Sequence, residues 1–418
     1  MHHFVYKGRE LYCEDVPVAH MAEAVGTPFY LYSHATLTQH FRAFDRAFDG
    51  MSHLICFSMK SNSNLALLRL FSREGGGVDI VSGGELYRAV KAGVDPRKIV
   101  YSGVGKLAEE IEYALKTDIL MFNAESGQEI IRINEVAGRL GKKARIAIRV
   151  NPDVDPKTHP YISTGLKKNK FGVDIHEAVE QYALAARLGY LEVSGISCHI
   201  GSQLTEVNPF VDALKKVLLL TGRLRDLGMN IRFLDIGGGL GITYHVETPP
   251  HPDQYADALK REIGGSDLTL ILEPGRVISG NAGILVTRVL YTKSTKEKSF
   301  IIVDAAMNDL MRPTLYDSYH AIDPVRKSEG GAITADIVGP ICESGDFFAK
   351  SREVAPFQPN DLMAIMSAGA YGFSMSSNYN SRPRAAEVMV KGDRFFIIRE
   401  RERYEDLVRG ETIPDFLR

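Results

Sequence analysis

The feature that most constrains the fold of this chain is a repeated alternation between short apolar, β-branched segments and amphipathic helical patterns, which begins at about residue 53. Eight such units fit within about 250 residues. They predict an α/β fold, a (β/α)8 TIM barrel, because a doubly wound sheet usually ends at five to seven strands. The predicted strands are His53–Lys60, Val78–Ser82, Ile99–Ser102, Ile119–Asn123, Ala144–Val150, Val193–His199, Ile231–Ile236 and Leu268–Glu273, and helical patterns lie at Gly84–Val90, Ala108–Leu115, Gln128–Leu140, His176–Leu188, Phe210–Leu227 and Gln254–Glu262.

The pattern changes after Gly275, where strands follow one another with turns and little helix between them. This predicts a second, antiparallel β domain, a sandwich or barrel of roughly 140 residues. Two strand-like pieces at the start of the chain could pair with its sheet, because chain termini often lie close together. The predicted domains are residues 36–278 for the barrel and 1–35 plus 279–418 for the β domain. The strands are predicted at Phe4–Tyr6, Pro28–Tyr32, Ala282–Thr292, Ser299–Ala305, Asp361–Ser367 and Glu387–Arg399.

The composition excludes several classes of protein. Lys and Arg number 50 against 52 Asp and Glu, a net charge of −2, which argues against a nucleic-acid-binding protein driven by bulk charge. A hydrophobic content of 44% over 418 residues is enough for folded cores and excludes disorder as the dominant state. The sequence shows neither a signal-peptide pattern nor the ~18 uninterrupted apolar residues of a membrane span. We therefore expect a cytoplasmic protein without membrane or nucleic-acid partners.

The four cysteines form neither a CxxC pair nor a cluster with histidine at metal-ligand spacing. A disulfide framework and a metal site are therefore not expected. Cys13, Cys56 and Cys198 are interpreted as packing residues, and Cys342 is followed by an acid, Glu343.

Polar residues close several of the predicted barrel strands, at the end where TIM barrels carry their chemistry. Lys60 closes the first strand, His199 the sixth and Glu273 the eighth. A single lysine after a strand is usually a surface residue, but one that closes a buried strand is costly unless it is paired. The other strand ends favour the functional interpretation.

A glycine run, Gly237-Gly238-Gly239-Leu240-Gly241, closes the seventh strand. Its backbone N–H groups, with Ser202 and Arg276 on neighbouring strands, describe a phosphate site where barrel enzymes often have one. By itself a glycine-rich turn is weak evidence, because glycine also serves steric purposes in tight loops. A phosphate site beside a lysine, an imidazole and a carboxylate indicates pyridoxal phosphate, for which lysine provides the Schiff base and an acid the partner of the ring nitrogen. A sugar-phosphate isomerase is the alternative on this evidence alone.

These residues belong to motifs through which nearly the whole chain resembles the diaminopimelate decarboxylase family, pyridoxal-phosphate enzymes of the alanine racemase and ornithine decarboxylase fold group. Six motifs occur in order, and together they are highly specific. Ser61 stands where the family usually has alanine, which affects no catalytic role. The motifs are Ser58-Met59-Lys60-Ser61-Asn62, His199-Ile200-Gly201-Ser202-Gln203, Gly237-Gly238-Gly239-Leu240-Gly241, Glu273-Pro274-Gly275-Arg276, Gly339-Pro340-Ile341-Cys342-Glu343-Ser344-Gly345-Asp346 and Gly369-Ala370-Tyr371-Gly372.

The resemblance implies a role for each barrel residue. Lys60 would bind the cofactor covalently, His199 would lie against its ring, and Glu273 would face the ring nitrogen. The cofactor-binding set that it implies is Lys60, His199, Ser202, Gly238, Gly239, Gly241, Glu273, Pro274, Gly275, Arg276 and Tyr371. The resemblance also allows Asp79 to be a partner of Lys60, because the fold group keeps an acid near this lysine, but an ordinary acid beside a helix explains it nearly as well. Arg149, at a strand end, is similarly ambiguous, and both residues are left outside this set.

In the β domain the resemblance makes Cys342 the proton donor after decarboxylation and Glu343 the group that binds the distal ammonium of the substrate. Arg312 and Tyr316 would bind the distal carboxylate with help from Arg276, since the guanidinium fork matches a carboxylate. The implied catalytic set is thus Lys60, Cys342 and His199, and the substrate-binding set is Arg276, Arg312, Tyr316, Glu343 and Tyr371.

The function implied is conversion of meso-2,6-diaminopimelate to L-lysine and carbon dioxide, the last step of lysine biosynthesis, by a homodimer with shared active sites in which no metal takes part. A decarboxylase of another basic amino acid or polyamine precursor, of the ornithine, arginine or carboxynorspermidine type, stays open as the alternative. A silent regulatory relative would be expected to lack Lys60 or Cys342, and both are present.

Overall fold

The structure, a computed structural model, describes residues 2–155 and 170–418. The chain divides into two compact units. Residues Thr38–Ile278 form one unit, and Met1–Leu37 together with Ser279–Arg418 form the other. None of the helices within the two described ranges has the length and apolar composition needed to cross a bilayer.

Before the barrel, the chain forms four strands and two helices. The strands are β1 (Phe4–Lys7), β2 (Glu10–Cys13), β3 (Val16–Pro17) and β4 (Phe29–Ser33), and the helices are α1 (Val18–Val25) and α2 (His34–Ala47).

The unit Thr38–Ile278 contains a closed barrel of eight parallel strands, as predicted. The ring runs in chain order, and it closes where its last strand pairs with its first through Leu270 and His53. One extra short strand, β10, pairs with β9 outside the ring and was not predicted. The elements are β5 (His53–Ser58), α3 (Leu65–Arg73), β6 (Gly77–Ile80), α4 (Gly83–Lys91), β7 (Ile99–Tyr101), α5 (Ala108–Thr117), β8 (Met121–Ala124), α6 (Gly127–Arg139), β9 (Ala144–Asn151), β10 (Val173–Asp174), α7 (Ala178–Arg187), β11 (Leu191–Ser197), α8 (Asn208–Asp226), β12 (Phe233–Asp235), α9 (Pro252–Ile263), β13 (Thr269–Leu272) and α10 (Arg276–Ser279).

Local sequence explains where these strands and helices begin. Ser82 caps α4 by accepting a hydrogen bond from the Glu85 amide at 3.2 Å, and Ser126 caps α6 by accepting one from Glu129 at 3.2 Å. Side chains from several strands fill the barrel interior, including Cys56, Val100, Met121, Ala147 and Ile271. Because the interior is packed, polar residues of the strands are concentrated at the strand ends.

The other unit is built on a nine-stranded, mostly antiparallel sheet. Strand β4 is inserted into it, antiparallel to β14 and parallel to β20, so the prediction for Pro28–Tyr32 is confirmed. Its apolar core includes Leu31, Val286 and Val388. The remaining elements are β14 (Gly283–Ser294), β15 (Ser299–Val303), α11 (Arg312–Tyr316), β16 (Ile322–Pro324), β17 (Ile333–Val338), β18 (Phe347–Val354), β19 (Leu362–Ile365), β20 (Ala386–Lys391), β21 (Arg394–Arg399) and α12 (Tyr404–Leu407).

Two predictions for this unit are wrong. Glu387–Arg399 is not one strand, because Gly392, with φ +62°, turns the chain between the hairpin strands β20 and β21. The segment Phe4–Tyr6 does not join the large sheet, because β1 pairs with β2 in a separate three-stranded sheet. A tight turn at Gly8 lets β1 form a hairpin with β2, the next strand in the chain.

The three cysteines interpreted as packing residues, Cys13, Cys56 and Cys198, are buried, whereas Cys342 is exposed. Burial also raises the pKa of Cys13 and Cys56 well above the ordinary thiol value. The prediction that these three side chains serve packing is confirmed.

Candidate active site

Lys60 lies in a short 3-10 turn, Met59–Ser61, directly after strand β5. Its Nζ is 3.5 Å from Oδ2 of Asp79, a fully buried side chain on β6. The same oxygen accepts a hydrogen bond from Ser58 Oγ at 2.7 Å. Within the described residues, Oδ1 of Asp79 has no hydrogen-bond partner. Asp79, which the sequence analysis left outside the site, is therefore the carboxylate that pairs with Lys60.

His199 follows strand β11, and the adjoining glycine turn fixes its protonation. The Gly238 amide donates a hydrogen bond to His199 Nδ1 at 3.2 Å. Because an amide N–H can only donate, Nδ1 carries the lone pair and Nε2 carries the proton. Burial, together with the positive charges of Lys60 and Arg149, lowers the pKa of His199 well below its ordinary value. The imidazole is thus held neutral.

In the glycine turn after β12, the backbone packs directly against the backbone of the segments that follow the two neighbouring strands, β11 and β13. A Cβ on Gly238 would lie 2.1 Å from the Glu273 carbonyl oxygen, and one on Gly239 would lie 2.4 Å from the Gly201 oxygen. The Gly241 amide already donates to Leu204 O at 2.9 Å. Among the described residues, the amides of Gly239 and Leu240 have no hydrogen-bond acceptor, so they are the groups in this turn that suit an anion.

Arg276 begins the segment after β13 and is almost completely buried. Its Nη2 donates to Ser202 Oγ at 3.1 Å, and its Nη1 donates to the Tyr244 hydroxyl at 2.6 Å. Sequence reasoning found Ser202 and Arg276 but missed Tyr244, which follows the glycine run. Arginine, serine and tyrosine together form a donor set that suits a phosphate or a carboxylate.

Glu273, Asp235 and Asn123 form a buried polar cluster in the barrel. Asn123 Nδ2 donates to Asp235 Oδ2 at 2.7 Å, and Ser102 Oγ donates to Glu273 Oε1 at 3.3 Å. Burial raises the pKa of Glu273 well above its ordinary value, and the nearby carboxylates of Asp235 and Asp79 raise it further. If the positively charged ring nitrogen of a bound cofactor lay beside Glu273, it would lower the pKa of Glu273 again, because an opposite charge favours the ionised carboxylate.

Pro274 and Gly275 pack against the turn that carries Lys60. The Pro274 carbonyl accepts a hydrogen bond from the Ser58 amide at 3.1 Å. A Cβ on Gly275 would lie 2.9 Å from Ser61 Oγ, so glycine is needed for this close packing. The Ser61 hydroxyl donates to the Ser58 carbonyl at 2.7 Å. These contacts couple the end of β13 to the position of Lys60.

The barrel residues fit pyridoxal phosphate. Lys60 offers an amine beside a carboxylate, the turn at Gly239 offers amides that a Cβ would block, and Arg276 adds a charged donor. Glu273 supplies the buried acid that the ring nitrogen requires. All of these groups lie at the carboxyl ends of the barrel strands.

The other unit carries the remaining predicted site residues. Arg312, the first residue of α11, is buried and hydrogen-bonded to the Ser318 hydroxyl at 3.3 Å. Tyr316 ends the same helix and is partly exposed. Tyr371 has a left-handed backbone, with φ 55°. Gly372 follows it where a Cβ would lie 2.4 Å from the Ala368 oxygen.

Cys342 and Glu343 lie on an exposed loop between β17 and β18. The Cys342 amide donates to Asn380 Oδ1 at 2.9 Å, and the Tyr379 hydroxyl donates to Glu343 Oε2 at 3.1 Å. Asp346 holds the loop from its other end, since Oδ2 accepts a hydrogen bond from the Ile341 amide at 2.7 Å. The loop is thus ordered by partners that sequence reasoning did not identify, Tyr379 and Asn380.

Comparison with known proteins agrees with this chemistry. Residues 34–280 match the family model described as "Pyridoxal-dependent decarboxylase, pyridoxal binding domain". The chain is 52% identical to the diaminopimelate decarboxylase of Pseudomonas aeruginosa, over 98% of this chain and 99% of that protein. It is 53% identical to that of Aquifex aeolicus, over 96% of each chain.

A solved structure gives the same assignment. Diaminopimelate decarboxylase from Helicobacter pylori, in complex with L-lysine, superimposes with a TM-score of 0.91 at 47% identity, covering 94% of this chain and 98% of that one. The cofactor of this family is pyridoxal phosphate, which the barrel residues fit. The chain belongs to the diaminopimelate decarboxylases, a family of pyridoxal-phosphate-dependent amino-acid decarboxylases.

Proposed function

We propose that this chain converts meso-2,6-diaminopimelate to L-lysine and carbon dioxide, the last step of lysine biosynthesis, in the cytoplasm. The observation that carries the proposal is one barrel end that combines the Lys60 amine, an anion-binding glycine turn and the buried Glu273 carboxyl. Relatives that are 52% identical over nearly the full chain are named diaminopimelate decarboxylase.

Pyridoxal phosphate, when bound, supplies an electron sink for the electron pair left when the substrate carboxylate departs. Lys60 Nζ is the amine to which the cofactor would be attached, and the Asp79 carboxylate stabilises its positive charge. Glu273, as an ionised carboxylate, would accept a hydrogen bond from the protonated ring nitrogen and so favour the cationic form of the ring. Neutral His199 would lie against one face of the ring.

The phosphate would be held by the amides of Gly239 and Leu240, by Ser202 and Arg276, and by Tyr371, whereas Gly238, whose amide is hydrogen-bonded to His199, would shape the turn. We assign Gly241, Pro274 and Gly275 a shaping role, since Gly241 uses its amide for Leu204 and Gly275 packs on Ser61.

The β unit would supply the remaining groups. After the bond between the α-carbon and its carboxylate breaks and carbon dioxide leaves, Cys342 Sγ would give its proton to the α-carbon. Glu343 would bind the distal ammonium of the substrate, and Arg312, Tyr316 and Arg276 would bind its distal carboxylate.

We further propose a head-to-tail homodimer in which Cys342 and Glu343 serve the barrel of the partner. Their exposure in the single chain supports this, because a proton donor needs to be shielded from water during the reaction. A mixture of Lys60→Ala and Cys342→Ala subunits should regain about a quarter of wild-type activity if sites are shared, because half of the dimers would contain one intact site. No recovery would argue that each chain completes its own site.

The test of the reaction is carbon dioxide release from meso-diaminopimelate, lysine, ornithine and arginine by the purified protein supplied with cofactor. A pocket built to bind a distal carboxylate can discriminate by a factor on the order of 10⁴ against substrates that lack it. Lysine and ornithine should therefore be poor substrates. Equal rates on ornithine or lysine would overturn the proposal and favour a decarboxylase of another basic amino acid.

A further inference from the structure

His320 is a buried histidine whose imidazole faces the guanidinium of Arg312. Its Nε2 lies 3.0 Å from Arg312 Nη1, and its side chain has no exposed surface. The chain reaches this arrangement because Asp317, in the left-handed conformation with φ 50°, ends helix α11 and turns the following residues back toward Arg312.

The other side of the ring fixes which nitrogen carries the proton. His320 Nδ1 lies 2.8 Å from the Met366 carbonyl oxygen, which can only accept a hydrogen bond. Nδ1 therefore carries the proton, and Nε2 accepts a hydrogen bond from Arg312. A doubly protonated ring would set an N–H against an N–H donor and place two positive charges 3.0 Å apart. In this arrangement His320 is a neutral acceptor for the arginine.

The backbone around His320 is held as firmly as the ring. Arg352 Nη1, on strand β18, donates to the His320 carbonyl at 3.0 Å. The next residue, Ala321, accepts a hydrogen bond from the Met366 amide at 2.9 Å, where β16 and β19 pair. The backbone that carries the imidazole is thus fixed by the sheet, and the ring cannot turn away from Arg312 without breaking its hydrogen bond to the Met366 carbonyl.

We infer that His320 is a positioning residue that holds the Arg312 guanidinium in the orientation in which it binds the distal carboxylate of the substrate. This inference rests on the proposed function of Arg312. A long arginine side chain loses conformational freedom when it binds a ligand, so holding its head group in advance leaves less freedom to be lost on binding. His320 itself does not touch the substrate.

Two amide substitutions separate the two hydrogen bonds of the ring. In His320→Gln the side-chain oxygen can reach the position of Nε2 and accept from Arg312, whereas the hydrogen bond to Met366 is lost. In His320→Asn the amide can replace Nδ1 and donate to Met366, whereas the acceptor for Arg312 is lost. The two variants are matched in chemistry and in the burial of a polar group.

Steady-state kinetics with meso-diaminopimelate should distinguish them. His320→Asn should raise KM at least about tenfold with a smaller change in kcat. Arg312 would bind the distal carboxylate, which takes no part in the reaction, equally well in the ground state and in the transition state. His320→Gln should stay within about threefold of wild type. The inhibition constant of 1,5-diaminopentane, which carries both amino groups but neither carboxylate, should change little in either variant, whereas general damage to the unit would weaken its binding as well.

A double variant tests whether His320 acts through Arg312. If it does, His320→Asn added to Arg312→Ala should cause no further rise in KM, because the two residues form one interacting unit. Additive effects would overturn the inference, as would equal losses in the Asn and Gln variants. If His320→Asn does not fold, His320→Gln decides, since a tenfold rise in its KM would contradict the role assigned to the Nε2 acceptor.

Failure of the inference is distinguishable from failure of the proposed function. Without carbon dioxide release from meso-diaminopimelate by the wild type, the function itself is wrong. If the wild type is active and Arg312→Ala loses its preference for meso-diaminopimelate over lysine while His320→Asn keeps it, only the positioning role is wrong.

Discussion

Replacing Gly238 by alanine should weaken cofactor binding through a purely steric conflict. The new Cβ would lie 2.1 Å from the Glu273 carbonyl oxygen, and real Cβ atoms essentially never come within 3.0 Å of a heavy atom of a residue that is not a neighbour in the chain. The glycine turn and the end of β13 would have to separate by about 0.9 Å. Neither side can yield by a rotamer change, because the neighbour is backbone and the Glu273 amide is itself bonded to the Gly237 oxygen at 2.8 Å.

Overpacking of this kind typically costs about 1 to 3 kcal/mol. If that cost falls on the cofactor-bound form, the Kd of pyridoxal phosphate should rise roughly 5- to 150-fold, at about 1.4 kcal/mol for each factor of ten. The assay is titration of the cofactor-free enzyme with pyridoxal phosphate, followed by absorbance.

Gly222→Ala is the control, since Gly222 lies on helix α8 and its Cβ would meet nothing within 4 Å. It should bind the cofactor normally and gain up to about 1 kcal/mol of stability. A wild-type Kd for Gly238→Ala would refute the reasoning.

Three further substitutions test the site. Glu273→Gln should retain the cofactor but lose most turnover, because an amide keeps the shape without the charge that favours a protonated ring nitrogen; equal losses of cofactor content and kcat would indicate a structural role. Asp79→Asn should lower, by roughly one unit, the pH midpoint at which the absorbance of the bound cofactor changes, because the carboxylate beside Lys60 favours the cationic form; an unchanged midpoint would contradict that pairing. Arg312→Ala should reduce kcat/KM far more for meso-diaminopimelate than for lysine. If the ratio of the two kcat/KM values is unchanged, Arg312 does not bind the distal carboxylate.

The barrel was predictable because its strands are buried on both faces and therefore stand out as apolar, β-branched runs. All eight predicted segments correspond to strands of the closed ring. The β unit was less predictable, because its pairing depends on residues far apart in the chain. Strand β15, for example, pairs in parallel with β17. The periodicity of Glu387–Arg399 continues through Gly392 and conceals the hairpin turn there.

The site residues that could be predicted are those that close strands or lie in motifs. Their partners could not, because each is a common residue whose role depends on tertiary proximity. Asp79 was suggested as a partner of Lys60 by the family resemblance alone, and an ordinary acid beside a helix explained it nearly as well until its distance of 3.5 Å from Lys60 was known. Asn123, Tyr244 and His320 carry no sequence signal, although each is hydrogen-bonded to a buried charged residue.

The central claim is that Lys60, at the end of the first barrel strand, carries the cofactor. Reduction of the holoenzyme with borohydride, followed by proteolysis and mass spectrometry, identifies the modified lysine directly. We expect the phosphopyridoxyl group on the peptide that contains Lys60, and we expect Lys60→Ala to show no such adduct. An adduct on another lysine of the barrel, such as Lys106, which is buried and paired with Glu129 at 2.6 Å, would contradict the assignment of the site.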